Sequence, residues 1–165
     1  MPRTLAPTLA ALFLFLSAVR PVPAQELPRV LIQQGERYLA MGKLDAAIAS
    51  YSKVIACCDR TPEGAEAHND IGVAYARKGD LDRAIQEYET ALTINGYPLA
   101  SFNLGKAWRG RYEQTGDPVY RRKALECFRA FALYLRKGES LPPVVSWQRE
   151  EIEEYLAEAE RTLAE

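Results

Sequence analysis

The sequence predicts an all-α fold, an α-solenoid of three helical hairpins followed by a capping helix. Glycine recurs at Gly35, Gly72 and Gly105, with separations of 37 and 33 residues. An aromatic residue follows each of these glycines by three positions, and later in each unit an alanine precedes a second aromatic residue by four. A repeat of this length is typical of stacked helical units. The later pairs are Ala47 with Tyr51, Ala84 with Tyr88, and Ala124 with Phe128.

The first 24 residues have the three parts of a secretory signal peptide. Arg3 supplies a positive charge, Leu5 to Val19 form an apolar run, and small residues Val22 and Ala24 precede a cleavage point after Ala24. The apolar run is shorter than the ~20 residues that span a membrane, and an uncleaved anchor is the alternative. We therefore expect an exported protein, either periplasmic or secreted.

The charge balance argues against a nucleic-acid partner. The chain has 21 Lys and Arg residues against 22 Asp and Glu residues. Cleavage after Ala24 would remove Arg3 and Arg20 and no acid, which gives a net charge of −3. Proteins that bind nucleic acid generally have a basic surface.

The cysteine content does not fit a disulfide scaffold. The three cysteines are Cys57, Cys58 and Cys127, so at least one thiol is unpaired. The adjacent pair could close only through a strained ring. We expect the cysteines to act as small apolar residues at helix ends.

The first two units each read as two antiparallel helices joined by a turn that contains a second glycine. In "MGKLD" and "KGDLD", Gly42 and Gly79 end the first helix in a backbone conformation that other residues resist. Asp45 and Asp80 then lie near the positive start of the second helix. The recurrent glycines, such as Gly72, lie where the two helices cross, and a side chain there would hold the backbones apart, so we expect the small alanine of the second helix to face each glycine.

The third unit is longer than the others. Gly105 and Gly116 are 11 positions apart, against 7 for the matching glycines of the second unit, and Gly116 precedes Ala124 by 8 positions, against 5. Both helices therefore extend by about one turn, and the hairpin protrudes by roughly 5 Å. Asp117 and Pro118 fit the N-cap and first position of the lengthened second helix. The tip would be basic, and is either solvated or docks on an acidic partner; its cations are Arg111, Arg121, Arg122 and Lys123.

The C-terminal segment begins with a break at "SLPP" and continues as one amphipathic helix from Ser146. Its apolar face contains Trp147, Ile152 and Tyr155, and we expect it to cover the third hairpin. The predicted organisation is a signal peptide at 1–24, three repeats within 25–138 (about 28–61, 65–97 and 98–137), and a linker with a capping helix at 139–165.

The order of the repeated residues resembles the tetratricopeptide repeat family from Pro28 to about Lys137. The resemblance implies a binding module without catalytic activity, cofactor or metal, whose first helices line a concave groove for an extended peptide or a partner helix. The groove positions that it implies are Arg29, Ile32, Glu36, Asn69, Val73, Arg77, Phe102, Lys106 and Arg109.

Some family members use a set of Lys, Arg and Asn residues to clamp the C-terminal carboxylate of a peptide. The matching positions here hold Ile32, Glu36, Asp70, Leu99 and Asn103. The resemblance therefore implies a groove without that clamp.

Catalytic and metal-binding motifs are not evident. His68 is the single histidine, and a metal site would need further ligands at helical spacing. The glycines follow the repeat and do not form a phosphate-binding loop. We expect His68 to be structural, at a position that packs toward the preceding hairpin in the family, and the protein to bind protein or peptide.

These features favour an exported adaptor that holds a partner protein in an envelope complex. Self-association is an alternative, because an acidic last helix and a basic third hairpin on one chain could pair between copies. A further alternative is an accessory subunit of an envelope enzyme.

Overall fold

The computed structural model describes residues 26–136 and, beyond them, only Glu153, Glu154, Ala157 and Arg161. The described range contains six helices and no strand. Their bounds are α1 (Glu26–Ala40), α2 (Leu44–Cys58), α3 (Pro62–Arg77), α4 (Leu81–Asn95), α5 (Pro98–Thr115) and α6 (Pro118–Arg136).

The helices pair as three hairpins, α1 with α2, α3 with α4, and α5 with α6. The first helices of the hairpins also contact one another, because α3 touches both α1 and α5. Among the described helices, the backbones of α2 and α4 do not approach each other closely, and neither do those of α4 and α6. The stack therefore curves toward the face made by α1, α3 and α5, which we call the concave face. This architecture confirms the predicted all-α solenoid.

The turn inside each of the first two hairpins has the predicted chemistry. Gly42 and Gly79 have φ values of 71° and 80°, in the left-handed region that favours glycine. Asp80 is the N-cap of α4, and its carboxylate accepts a hydrogen bond of 3.1 Å from the backbone N–H of Arg83. Asp45 lies in the first turn of α2, where its negative charge faces the positive helix end.

The recurrent glycines allow the two helices of each hairpin to pack closely. A Cβ atom built on Gly72 would lie 2.5 Å from the ring of Tyr88, nearer than side chains can approach. The residue that comes closest to the glycine is the aromatic residue four positions after the expected alanine. The same arrangement places Gly35 against Tyr51 and Gly105 against Phe128.

The core runs through the stack without a break between hairpins. Tyr51 of α2 belongs to a buried cluster that includes Ala67 and Ile71 of α3. Ala84 of α4 packs in a second cluster with Leu104 of α5. One hairpin cannot bury its own apolar faces, so each depends on its neighbour.

The third hairpin is lengthened in both helices, as predicted. α5 continues for ten residues after Gly105, whereas α3 continues for five after Gly72. α6 begins at Pro118, and Asp117 caps it by accepting a hydrogen bond of 2.9 Å from the backbone N–H of Val119.

The cysteines differ from the expectation. The structure joins the adjacent Cys57 and Cys58 by a disulfide in the last turn of α2. Cys127 is free and partly buried, and its burial raises the pKa of the thiol to about 11. Cys127 is therefore a neutral thiol at physiological pH.

The predicted signal peptide and most of the predicted C-terminal helix lie outside the described residues. Glu153, Glu154, Ala157 and Arg161 have helical backbone, and Arg161 Nε donates to the backbone oxygen of Ala157 at 3.2 Å. No helix within the described residues has the length and apolar character required to cross a membrane.

Candidate functional site

Two of the residues predicted to line the concave groove lie in the core instead. Ile32 and Phe102 are fully buried. Each precedes a packing glycine by three residues and therefore shares the helix face that meets the second helix of the hairpin. The ring of Phe102 lies 5.8 Å from that of Phe128 and 5.3 Å from that of Phe131, measured between ring centres. Ile32 and Phe102 support the groove from behind and are not available to a partner.

Asn69 is also buried, but its polar atoms are all engaged at the boundary between α3 and α5. Its Nδ2 donates to Asp70 Oδ1 at 3.1 Å, and its Oδ1 accepts from Asn103 Nδ2 at 2.9 Å. The amide therefore fixes the position of two polar side chains. It forms part of the groove floor.

The arginines at groove positions in the first two hairpins connect α1 to α3. Arg29 contacts Glu66 at 2.7 Å and Glu63 at 3.8 Å. Arg77 donates to the backbone oxygen of Leu39 at 3.0 Å. Both charges are thus partly used in holding the first hairpin against the second.

The remaining groove positions lie on α3 and α5. Val73 is half-buried beside the core cluster of α4 and α5. The ammonium group of Lys106 lies 5.7 Å from the centre of the Phe102 ring. Arg109 pairs with Glu113 one turn along α5, at 3.1 Å.

The negative charges of Glu36 on α1 and of Glu66 and Asp70 on α3 act on one another, and we call these three residues the acidic cluster. Glu66 and Asp70 are one turn apart on α3. Glu36 follows Gly35, which packs against the ring of Tyr51. Burial, followed by the negative charge of Glu66, raises the pKa of Asp70 to about 7. Burial also raises the pKa of Glu66, although Arg29 opposes this shift.

The phenol of Tyr51 ends at this cluster. Its side chain is fully buried, and Asp70 is the polar side chain that its hydroxyl faces. Burial and then the negative charge of Asp70 raise the pKa of Tyr51, and a hydrogen bond with Asp70 acts in the same direction. From the sequence, Tyr51 is recognisable only as a repeated aromatic residue. Asp70 is recognisable only as a position where this chain departs from the carboxylate clamp of some family members.

His68 is held between two carboxylates, as a structural residue would be. Its Nδ1 lies 2.6 Å from Glu87 Oε2 on α4, and its Nε2 lies 3.0 Å from Asp59 Oδ1 at the end of α2. The hydrogen bond with Glu87 is the main cause that raises the pKa of His68. No group of three metal-ligating side chains occurs among the described residues.

The predicted basic tip is divided by the structure. Arg111 forms an ion pair with Asp82 at the start of α4, so it joins the second and third hairpins. Trp108 stacks on Tyr120 with ring centres 5.5 Å apart, and the ammonium of Lys123 lies 4.1 Å from the centre of the Trp108 ring. Arg121, Arg122 and Lys123 are exposed on α6.

Comparisons with known proteins agree with this geometry. The tetratricopeptide repeat family profile matches residues 32–98. A search of curated proteins gave no match.

Several solved structures have the same fold. The first TPR of Spaghetti (RPAP3), bound to the HSP90 peptide SRMEEVD, is 21% identical and has a TM-score of 0.60, with 85% of this chain and 95% of that chain covered. The Sgt2 TPR domain from Aspergillus fumigatus is 18% identical with a TM-score of 0.63, over 87% and 82% of the two chains. The TPR2B domain of yeast Sti1, in a pHsp70 complex, is 17% identical with a TM-score of 0.60, over 83% and 98%.

Proposed function

We propose that this chain, a solenoid of tetratricopeptide-like hairpins, is an adaptor that holds a peptide or a partner helix against its concave face. The observation that supports this most directly is the acidic cluster, three carboxylates on the surface that α1 and α3 build. Two of the three, Glu36 and Asp70, have no ion-pair partner among the described residues.

The neighbouring structures support a binding role at this face. The Spaghetti domain is bound to an HSP90 peptide, and the Sti1 domain is in a complex with pHsp70. Both share the hairpin stack with this chain. A curved stack of helices with an open inner side suits an elongated ligand.

Binding fits the described side chains better than catalysis does. A catalytic base must reach a substrate proton, whereas both ring nitrogens of His68 face carboxylates of the same chain. The free thiol of Cys127 is kept neutral by burial, which removes the thiolate that nucleophilic chemistry requires.

The groove can be tested with two substitutions that add the same side chain on opposite faces. Val73→Arg would place a bulky cation at a predicted groove position of α3, and Thr90→Arg would alter the exposed face of α4. We expect V73R to reduce capture of the partner from envelope extracts by about tenfold or more, since a bulky cation blocks the groove. We expect T90R to have no effect.

The fold of both variants must be checked by circular dichroism and thermal melting. Equal capture by V73R and T90R, with both variants folded, would contradict a concave binding face. The exposed residues of α6 would then be the next candidate binding surface.

The location of the adaptor is proposed to be the cell envelope or the exterior. The support is the sequence of residues 1–24, with its basic start, apolar run and small residues before the cleavage point. N-terminal sequencing of the protein from its own cells should find Gln25 as the first residue. A chain that keeps Met1 and remains in the cytoplasm would contradict export.

A further inference from the structure

We propose that the adjacent cysteines Cys57 and Cys58 form a redox site. The pair changes between a disulfide and two thiols by exchange with small-molecule thiols and disulfides, while the fold stays intact. It lies at the end of α2, whereas the concave face is made by α1, α3 and α5. This chemistry is separate from the proposed adaptor function and goes beyond it.

The bond between the two cysteines is poorly suited to a structural role. A disulfide stabilises a fold mainly by closing a loop of the unfolded chain, and its effect grows with the length of that loop. Cys57 and Cys58 are consecutive, so their bond encloses no other residue and connects α2 to no other helix. A chemical role therefore explains the pair better than a structural one does.

The pair is open to reagents from solution. Cys57 is exposed, and Cys58 is partly so. Exposed disulfides are the ones that an external thiolate can attack, because the reaction requires access to a sulfur atom. Burial raises the pKa of the third cysteine, Cys127, to about 11, which keeps that thiol neutral and unreactive. The reactive sulfur atoms of this chain are thus those of the adjacent pair.

The same helix also suits the reduced pair. The Sγ atom of Cys57 lies 3.2 Å from the backbone oxygen of Val54, one turn earlier in α2. In the dithiol form, the S–H group of Cys57 can donate a weak hydrogen bond to this oxygen. The thiol that forms when the disulfide opens therefore needs no new acceptor.

Hydrogen bonds hold the backbone of the pair in the turn between the first two hairpins. The backbone oxygen of Cys58 accepts from the N–H of Thr61 at 3.1 Å and from its hydroxyl at 2.7 Å. Gly64, in the first turn of α3, packs so closely that a Cβ atom there would lie 2.5 Å from the same oxygen. This oxygen takes no part in the exchange of sulfur bonds, so its contacts can persist in both redox states.

The exchange has two balanced steps. The thiolate of a small-molecule thiol attacks Sγ of Cys57, the S–S bond breaks, and the released sulfur of Cys58 takes up a proton. A second thiolate attacks the small-molecule sulfur of the mixed disulfide and releases Cys57, which also takes up a proton. The pair gains two electrons and two protons, and two thiol molecules become one disulfide. In the reverse direction, a small-molecule disulfide is the oxidant.

The test measures the state of the pair in the folded protein over a series of ratios of reduced to oxidised glutathione. After equilibration, free thiols are blocked with N-ethylmaleimide and the protein is digested with trypsin. The digestion releases residues 54–60 with the pair and residues 124–129 with Cys127. We expect peptide 54–60 to change from the disulfide to the form with two blocked thiols as the reduced fraction rises. The circular dichroism of the protein should stay the same.

Two serine variants separate the pair from the third cysteine. Cys57→Ser should abolish the change, because Cys58 alone can form only a mixed disulfide with glutathione. The new hydroxyl keeps a donor beside the Val54 oxygen, so we expect the variant to fold, which thermal melting checks. Cys127→Ser is the matched control and should leave the change of peptide 54–60 as it is in the wild type.

Three results would overturn the inference. The first is a peptide 54–60 that carries two free thiols at every ratio, including excess oxidised glutathione. The second is oxidation that gives only mixed disulfides or bonds between two chains. The third is a disulfide that excess reduced glutathione opens only after urea has unfolded the protein, or only with loss of the helical signal. The V73R test of the concave face does not involve the cysteines, so any of these results leaves the proposed function standing.

Discussion

Asp70 shows how one buried carboxyl group can make the stability of the protein depend on pH. Its pKa is raised from the ordinary value of 3.8 to about 7 in the folded protein, mainly by burial. Below about pH 4 the group is protonated in both states and has no effect on the free energy of unfolding. Between about pH 4 and pH 7 the carboxyl group of Asp70 ionises in the unfolded chain but stays largely protonated in the folded protein. The free energy of unfolding therefore falls as pH rises.

We therefore predict that Asp70→Asn makes the protein more stable at neutral pH and flattens this pH dependence. The upper limit of the effect is about 4 kcal/mol, because one pKa unit corresponds to 1.36 kcal/mol. Urea unfolding of both proteins at about pH 4, pH 5.5 and pH 7 would measure it. An unchanged slope in D70N would show that Asp70 is well solvated.

His68 acts in the same direction at higher pH. Its pKa is raised, so its contribution to stability is complete below the unfolded value of 6.5 and is lost as pH rises through the folded value. To separate the two groups, the pH dependence of stability is measured for the His68→Gln variant with and without Asp70→Asn. The groups that face His68 are Asp59 and Glu87.

The sequence could identify these residues but not their proximity. Glu36 and Asp70 occupy positions of a known clamp, and the mismatch there was visible. That both carboxylates act on the Tyr51 hydroxyl depends on how α1, α2 and α3 pack together, which spacing within one chain segment does not reveal. The resemblance places Ile32 in the groove, but Ile32 precedes Gly35 by three residues and therefore lies on the face of α1 that packs against α2.

At the scale of helices, the packing glycines decide how closely a hairpin can close. Alanine is favoured over glycine in a helix by about 1 kcal/mol, so an exposed Gly→Ala substitution should stabilise. At Gly72 the new Cβ would lie 2.5 Å from Tyr88 Cε1, and the ring has a core on its other side. We predict that Gly72→Ala destabilises the protein by about 1–3 kcal/mol, because the steric cost exceeds the gain in helix propensity.

Gly110→Ala is the matched control for this prediction. Gly110 lies in the middle of α5, and its new Cβ would be 3.2 Å from the flexible end of Leu81. A small shift of that methyl group relieves the contact, so we expect a change of less than about 1 kcal/mol. Thermal melting of both variants tests this prediction. Equal losses of stability would mean that the distance between the crossing helices does not restrict the residue at Gly72.

The length of the third hairpin was readable from the sequence because Gly105, Gly116 and Ala124 mark its crossing and its turn. The partners of the side chains on its surface could not be predicted from the sequence. Arg111 belonged to a basic run in the sequence, but the extra turn of α5 brings it beside Asp82 of the previous hairpin. The direction of a side chain at the end of a helix depends on the neighbour that it reaches.

At the scale of the whole molecule, ion pairs connect the hairpins along both edges of the stack. Lys78 contacts Asp45 at 2.5 Å on the edge of the turns, and Arg111 continues this edge to the third hairpin. His68 joins α2 to α4 through its two carboxylate partners at the opposite edge. These contacts add to the shared core, so the three hairpins should unfold together.

Self-association of the whole molecule is the alternative to the proposed adaptor function. It would require the exposed cations of α6 on one copy to meet acidic groups on another, and salt would weaken such contacts. We predict that light scattering from about 0.05 to 0.5 M salt gives one monomeric mass for the protein. A mass that falls as salt increases would favour a self-assembling structural protein.

The overall fold was predicted because the glycine period and the paired aromatics determine a stack of hairpins whatever the surface residues are. The charge of the concave face could not be predicted in the same way. Arg29 neutralises the acidic cluster only in part, and the remaining charge depends on how the hairpins assemble.

The unequal hairpins also determine where the protein could be lengthened by engineering. The first and second units have helices of 15 and 15 residues and of 16 and 15 residues, so a duplicate of the second could be spliced between them in register. A duplicate placed after α6 would meet helices of 18 and 19 residues, and the surplus turns would overhang with nothing opposite them. A duplicate of the second unit should therefore fit more readily before α3 than beside the longer helices of the third hairpin.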